Sequence, residues 1–213
     1  MRSKAVLFDL DGTLADTAAD LGAALNHLRI KEGLPALPLE EFRAYASSGA
    51  RGLLKVGFDM LPDDSRYESM RNAFLDFYEE HICVETKLFP GMAELLDGIE
   101  ARGLRWGVVT NKSTRFTPRV LAALGVDKRA ACIVCGDSTP HLKPHPAPLQ
   151  LAARNLELAP EHCMYVGDDQ RDILAAHAAG MSSVAAAWGY GEAYADWNAG
   201  NIAAQPQDVL GLL

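Results

Sequence analysis

Two aspartates separated by one residue follow a short apolar run near the start of the chain. Asp9 and Asp11 come directly after Ala5-Val6-Leu7-Phe8 and are followed by Gly12 and Thr13. A short apolar run of this kind predicts a buried strand, so both carboxylates are expected where a strand ends. The pair suits covalent phosphoryl transfer, in which one carboxylate attacks phosphorus and the other donates and then removes a proton. The alternative interpretation is a turn that closes a strand, because Asp and Gly favour turns.

Five short apolar segments recur along the chain, separated by segments with helical periodicity. The predicted strands are residues 5–8, 104–109, 130–134, 163–166 and 183–186. Alternation of strands and helices predicts an α/β fold with a parallel sheet that is covered by helices on both faces.

Residues 17–82 break this alternation, since they show helical patterns and no convincing strand. The simplest account is a helical insertion between the first strand and residues 88–91, where the α/β pattern resumes. We therefore expect an α/β core of residues 1–16 and 83–213 and an inserted helical domain of residues 17–82. Because the insertion follows the loop of Asp9 and Asp11, it is well placed to close over that loop as a lid.

Polar side chains follow four of the predicted strands. Ligands of open parallel sheets bind beyond the carboxyl ends of the strands, so these groups are expected to share one rim. They are Asp9 and Asp11 after the first strand, Thr110, Asn111 and Lys112 after the second, Lys143 beyond the third, and residues 168–172 after the fourth.

These groups meet the needs of phosphoryl transfer. The carboxylates of Asp9 and Asp168 form a hard oxygen site for Mg²⁺, with the backbone carbonyl of Asp11 as a candidate additional ligand. Lys143 and Mg²⁺ would offset the repulsion between Asp9 and an incoming phosphate. Thr110 and nearby backbone N–H groups would hold the other phosphate oxygens. Each residue alone also has an ordinary structural explanation, such as a helix cap for Thr110 or a surface position for Lys143.

The composition limits the classes of partner. The net charge of −8, without a basic stripe, argues against nucleic acid or an anionic membrane as the main partner. No stretch approaches a membrane span, and the apolar run at residues 5–8 is too short for a signal peptide. We expect a cytoplasmic protein, a monomer or a homodimer, whose partner is a small molecule.

Cys132 and Cys135 have the C-x-x-C spacing of a metal or redox site. They lie in a predicted buried strand, where residues three apart point to opposite faces. With no second C-x-x-C in the chain, buried reduced thiols are the favoured interpretation.

Four motifs in this order resemble the signature motifs of the haloacid dehalogenase superfamily. They are Asp9-x-Asp11-Gly12-Thr13, Thr110-Asn111, Lys143-Pro144 and Gly167-Asp168-Asp169-x-x-Asp172. The resemblance covers nearly the whole chain. It implies a Rossmann-like core, here with a parallel five-stranded sheet, and a helical cap domain that corresponds to the insertion.

The resemblance also implies roles for the catalytic residues. Asp9 would be the nucleophile of an aspartyl-phosphate mechanism, and Asp11 the general acid and base. Thr110, Asn111 and Lys143 would bind the phosphate. Dehalogenases of the superfamily lack a carboxylate at the position of Asp11, because a halide leaving group needs no acid.

The same resemblance implies which residues bind the metal. Mg²⁺ would be held by the side chains of Asp9 and Asp168 and by the backbone carbonyl of Asp11. Asp172 would be an auxiliary metal group, and Asp169 is the less certain of that pair.

Within the superfamily the chain is similar to the phosphoglycolate phosphatase group, on the residues 87–91, 108–112 and 188–191. This implies hydrolysis of 2-phosphoglycolate to glycolate and phosphate. Residues 87–96 and 106–112 are also similar to phosphatases that act on N-acetylmuramic acid 6-phosphate. Both substrates carry a carboxylate, for which Arg51 in the insertion is the candidate ligand, with a surface arginine as the alternative interpretation.

Two other functions remain open at this point. A phosphomutase would use the same aspartate and pass the phosphoryl group to a sugar. A phosphoester-binding module without catalysis would retain the scaffold, but the intact set of Asp9, Asp11, Lys143 and Asp168 argues against it.

Overall fold

The structure is a computed structural model that describes residues 3–192 and 194–213. Its strands are β1 (Ala5–Phe8), β2 (Ala15–Asp16), β3 (Lys87–Leu88), β4 (Arg105–Val109), β5 (Ile133–Val134), β6 (Cys163–Gly167), β7 (Ser182–Ala186) and β8 (Asn201–Ala203). Its α-helices are α1 (Ala18–Lys31), α2 (Leu39–Phe42), α3 (Gly49–Phe58), α4 (Tyr67–Glu80), α5 (Met92–Ala101), α6 (Thr117–Ala123), α7 (Ala147–Asn155) and α8 (Gln170–Ala179).

The main sheet has six parallel strands in the order β5-β4-β1-β6-β7-β8. The α/β prediction is confirmed, but the predicted number of five strands is wrong. The missed strand, β8, is three residues long, lies at the sheet edge and buries only Ala203. A short edge strand lacks the apolar run by which the other strands were predicted. The third predicted strand is also shorter than expected, since it begins at Ile133.

Helices cover both faces of the sheet, as the alternation predicted. Successive residues of β1 point to opposite faces, so Val6 and Phe8 belong to one apolar core and Ala5 and Leu7 to the other. Residues of α5 and α6 pack into the first core, and residues of α7 and α8 into the second. The central strands β1 and β6 are therefore fully buried, which fixes the loops at their carboxyl ends.

The segment 17–82 contains helices and no strand, as predicted. It comprises α1 to α4 and a short 3₁₀ helix, Arg43–Ser48. The chain leaves and re-enters the α/β region through a small antiparallel ribbon in which Ala15 pairs with Leu88 and Asp16 with Lys87. Apolar residues of the segment pack into the same core as α5 and α6.

None of the helices in residues 3–192 and 194–213 combines the length and the apolar character needed to cross a membrane.

Candidate active site

The carboxyl ends of three adjacent strands meet at the centre of the sheet, as the sequence predicted. Asp9 directly follows β1, Thr110 directly follows β4 and Asp168 directly follows β6. The order β4-β1-β6 places the loop of Asp9 between the other two. Lys143 comes from the long loop after β5.

Three buried carboxylates form a tight cluster at this rim. Asp9, Asp168 and Asp172 each offer an oxygen, and these oxygens all lie within 4.8 Å of one another. Burial and the charges of Asp9 and Asp172 raise the pKa of Asp168 to about 8. Burial also raises the pKa of Asp172 to about 7, although the nearby Lys143 opposes the rise. Such crowding of negative charge is relieved by a cation.

The donor set of this cluster fits a hard divalent cation. Only carboxylate oxygens are offered, which suit Mg²⁺ rather than a thiophilic metal. The side chain of Asp11 is not part of this cluster, and the expected use of its backbone carbonyl stays a prediction. Asp169 is engaged elsewhere, because both of its oxygens accept hydrogen bonds from Arg171 at 2.8 Å.

Asp168 is held by groups from three parts of the chain. Its Oδ1 accepts a hydrogen bond from the Thr13 hydroxyl at 2.7 Å. Its Oδ2 accepts from the backbone N–H of Tyr190 and from the hydroxyl of Ser47, both at 3.0 Å. Gly12, at φ +88°, lies so close that a Cβ there would stand 2.1 Å from the carboxylate. Only glycine fits this approach.

Lys143 is buried between the carboxylates. Its Nζ lies 2.9 Å from Asp9 Oδ1 and 2.7 Å from Asp172 Oδ1. On its other side it bonds the Tyr165 hydroxyl at 2.7 Å and the Val109 carbonyl at 3.1 Å. Burial alone would lower the pKa of Lys143, but Asp172 and Asp9 outweigh it and raise the pKa. The ammonium therefore stays charged and neutralises part of the cluster.

Asn111 holds the loop that carries Lys143. Its side-chain Nδ2 donates to the Lys143 carbonyl at 3.1 Å, and its Oδ1 accepts from the Lys143 N–H at 2.9 Å. The side-chain amide is thus engaged with the backbone of the lysine loop. Its expected part in phosphate binding stays a prediction.

The carboxylate of Asp11 points away from the metal cluster to a lysine and a threonine. Lys112 Nζ lies 2.9 Å from Asp11 Oδ1 and 3.2 Å from Oδ2, and the Thr17 hydroxyl donates to Oδ1 at 2.7 Å. Lys112 is buried, which would lower its pKa, but the charge of Asp11 outweighs burial and raises it. Asp11 is thereby fixed in orientation beside, and separate from, the cluster.

A cavity of about 340 Å³ connects this rim to the inserted helices. Thr110 is buried and lines the cavity from the sheet side, and Arg51 lines it from α3. The structure therefore brings all the predicted site residues to one place. The cavity wall also holds the aromatic residues Tyr67, Phe74, Tyr78 and Phe116.

Several residues of the site were not predicted from the sequence. The sequence predicted no role for Ser47 or Tyr165. Lys112 and Tyr190 lie in motifs that support the family resemblance, but no role was predicted for either side chain. The hydroxyl of Tyr165 could have indicated a role, because it is a polar group within the apolar run of β6, close to the end of the strand. Nothing in the local sequence around Ser47 indicates its bond to Asp168, since 121 residues separate them.

The thiols of Cys132 and Cys135 are buried and free, as predicted. Burial raises the pKa of both, to about 12 for Cys132. They do not contribute to any group of metal-ligating side chains among residues 3–192 and 194–213.

Comparisons with known proteins find relatives that match nearly the whole chain. A family model for "Haloacid dehalogenase-like hydrolase" matches residues 6–186. The chain is 43% identical to a phosphoglycolate phosphatase of Xanthomonas campestris over 209 residues, which cover 97% of this chain and 94% of the relative. It is 40% identical to an N-acetylmuramic acid 6-phosphate phosphatase of Pseudomonas aeruginosa, covering 100% and 96% of the two chains.

Solved structures show the same likeness. The crystal structure of a predicted phosphoglycolate phosphatase from Haemophilus somnus superposes with a TM-score of 0.88 at 30% identity, covering 100% of this chain and 98% of the other. A phosphate complex of CbbY from Rhodobacter sphaeroides has a TM-score of 0.79 at 24% identity, over 97% and 96% of the two chains. At that identity the second match supports the fold alone.

Proposed function

This chain belongs to the haloacid dehalogenase-like hydrolase family and is a phosphoric monoester hydrolase, and we propose that it is a Mg²⁺-dependent phosphatase acting through an aspartyl-phosphate. The observation that carries this proposal is the position of Asp9. It lies within one buried group with two further carboxylates and a charged lysine. That arrangement suits attack on a dianionic ester, because positive charge beside the nucleophile offsets the repulsion.

We assign the attack to Asp9. Its Oδ1 is fixed by the Leu10 N–H at 2.8 Å and by Lys143 at 2.9 Å. This leaves Oδ2 as the oxygen that attacks phosphorus. Mg²⁺, held by Asp9, Asp168 and the carbonyl of Asp11 with Asp172 in support, would supply further charge neutralisation to the phosphate.

Asp11 is proposed as the general acid and base. It would protonate the leaving alkoxide and then remove a proton from the water that hydrolyses the phosphoenzyme. The bonds from Lys112 and Thr17 hold its carboxylate at the cavity, ready for either step. Thr110 would donate to a phosphate oxygen from the opposite wall.

We further propose that the chain divides into a core of residues 1–16 and 83–213 and a cap of residues 17–82. The β2–β3 ribbon lies at the boundary between them. Ser47, in the 3₁₀ helix of the cap, makes two bonds to the core: its hydroxyl donates to Asp168, and its carbonyl accepts from Arg171 at 3.1 Å. Closure of the cap would therefore change the hydrogen bonds of Asp168 and Arg171 at the metal site.

The substrate we propose is a carboxylated phosphomonoester, with 2-phosphoglycolate as the first candidate. Arg51 on the cap would bind the carboxylate. A specific observation favours N-acetylmuramic acid 6-phosphate as a second candidate, because the cavity of about 340 Å³ has more room than glycolate needs and its cap side is aromatic. Glycolate has a single methylene to bury, whereas the sugar offers a ring and methyl groups to such a wall.

The test is phosphate release by the purified protein from both esters. We expect turnover that EDTA abolishes and Mg²⁺ restores. A ratio of kcat/KM for the two esters above about tenfold, equivalent to about 1.4 kcal/mol in transition-state binding, assigns the substrate. Release of free phosphate without a phosphorylated sugar product excludes a mutase. Absence of turnover on every ester would contradict the proposal and favour a binding module.

A further inference from the structure

We propose that Tyr78, on α4 of the cap, donates a hydrogen bond to a carboxylate on the leaving group and so selects carboxylated esters. The inference rests on the function proposed above, to which it adds a specificity-determining residue.

The hydroxyl of Tyr78 is buried and has no hydrogen-bond partner in the part of the chain that the structure describes. The whole side chain is only 1% exposed. Folded proteins rarely leave a buried hydroxyl without a hydrogen-bond partner, because burial removes its hydrogen bonds to water and nothing replaces them. Among the described residues, one other buried side-chain atom shares the condition, Nδ1 of His162, and it does not line the cavity.

The neighbours of Tyr78 leave its hydroxyl available. Its ring packs edge-on against Phe116, with the centroids 5.4 Å apart. Lys112 Nζ stands over the ring face, 4.6 Å from the centroid, and its hydrogen bonds at 2.9 and 3.2 Å go to Asp11. Its charge and its looser contact with the Tyr78 hydroxyl act to lower the pKa of Tyr78, but an ammonium only donates, so the O–H proton of Tyr78 has no acceptor. Burial raises the pKa of Tyr78, so the hydroxyl keeps its proton at neutral pH and can act as a donor.

The acceptor for this proton would come from the cavity, which Tyr78 lines together with Asp11 and Lys112. Tyr78 lies on the cap, whereas Asp11 and Lys112 lie on the core. A leaving group bound between them would reach both the acid that protonates it and the unpartnered hydroxyl.

The charges around the cavity favour an anion as this partner. On its core side the cations are each paired with carboxylates. On the cap side Arg51 makes no ion pair within residues 3–192 and 194–213, and Arg71 lies 3.8 Å from the exposed Glu68 of its own helix. The paired core cations are Lys112, Lys143 and Arg171. A carboxylate also accepts a stronger hydrogen bond from a hydroxyl than a neutral oxygen does.

The experiment compares Tyr78→Phe with the wild type on two pairs of esters, each with and without the carboxylate. One pair is 2-phosphoglycolate and ethyl phosphate, and the other is N-acetylmuramic acid 6-phosphate and N-acetylglucosamine 6-phosphate. For the pair of esters that the wild type hydrolyses, we expect Tyr78→Phe to lower kcat/KM at least about tenfold on the carboxylated ester and less than about twofold on its analogue without the carboxylate. The Tm of the free variant should not fall, because the lost hydroxyl has no partner there.

The control is Tyr45→Phe, which removes an exposed hydroxyl that is not part of the cavity wall. It should leave the ratio within each pair unchanged. Equal losses on both members in Tyr78→Phe, no loss on either, or a clear drop in Tm would each overturn the inference. Failure of the proposed function is distinguishable, since the wild type would then turn over none of the four esters.

Discussion

The ammonium of Lys143 lies 2.7 Å from the hydroxyl of Tyr165, which in turn donates to the Val109 carbonyl at 2.6 Å. With Asp9, Asp172 and the same carbonyl, four oxygens of the protein lie within 3.1 Å of Nζ. An ammonium has three protons, so the buried amine is fully engaged before substrate arrives. Tyr165 is the neutral side chain of this set, and it holds the lysine from β6.

We therefore predict that Tyr165→Phe lowers kcat by about tenfold, because Lys143 shifts relative to Asp9 by a distance that matters for attack. KM should change much less. The free energy of unfolding should fall by about 1 kcal/mol, the usual worth of one hydrogen bond. Steady-state kinetics and denaturant unfolding check the two effects. A variant with wild-type kcat would show that the lysine is held by the carboxylates alone.

The carboxylate cluster predicts an unusual response to Asp168→Asn. The substitution removes one of three crowded negative charges, so the metal-free variant should be more stable than the metal-free wild type at about pH 8. It should also lose most of the rise in Tm that Mg²⁺ gives the wild type, since a ligand is missing. Thermal unfolding with EDTA and with Mg²⁺ measures both. A less stable metal-free variant would contradict the account of the cluster.

The raised pKa values predict how stability depends on pH in the metal-free protein. Folded Asp168 keeps its proton up to about pH 8, whereas the unfolded chain loses it near the ordinary value of 3.8. Between these values the native state binds more protons, so the free energy of unfolding should fall as pH rises. Mg²⁺ competes with these protons, so its affinity should be at least about tenfold higher at pH 8.5 than at pH 6. Calorimetric titration checks this, and an affinity independent of pH would refute it.

The position of Asp11 predicts that the loss of activity in Asp11→Asn depends on the leaving group of the ester. Asp11→Asn cannot protonate an alkoxide, so turnover of the alkyl ester 2-phosphoglycolate should fall by at least about a hundredfold. Formation of the phosphoenzyme from 4-nitrophenyl phosphate should fall far less, because nitrophenolate leaves without an acid. Burst kinetics with the aryl ester separate the two steps. Equal losses on both esters would show that Asp11 has another role.

The sequence was informative where local patterns determine the structure. The buried strands β1, β4 and β6 are apolar runs, and the residues that follow them reach one rim because parallel strands end together. The edge strand β8 escaped prediction because an edge position does not demand an apolar pattern.

Contacts between distant segments could not be predicted from local patterns. The bond from the Ser47 hydroxyl to Asp168 and the bond from the Ala18 N–H to the Tyr190 hydroxyl depend on how residues 17–82 pack against the α/β region. The burial of the Tyr78 hydroxyl could not be predicted either, because it results from the packing of α4 against Phe116 and Lys112. Packing of this kind is a property of the assembled fold, not of the local sequence.

The most direct test of the mechanism is to trap the phosphoryl group on the protein. Acid quench during turnover, followed by peptide mass spectrometry, should find a phosphoryl group on Asp9 and on no other residue. Asp9→Asn should keep the unfolding transition of a folded protein and show neither the adduct nor turnover. Turnover by Asp9→Asn at the wild-type rate, or a phosphoryl group trapped on a different residue, would contradict the account.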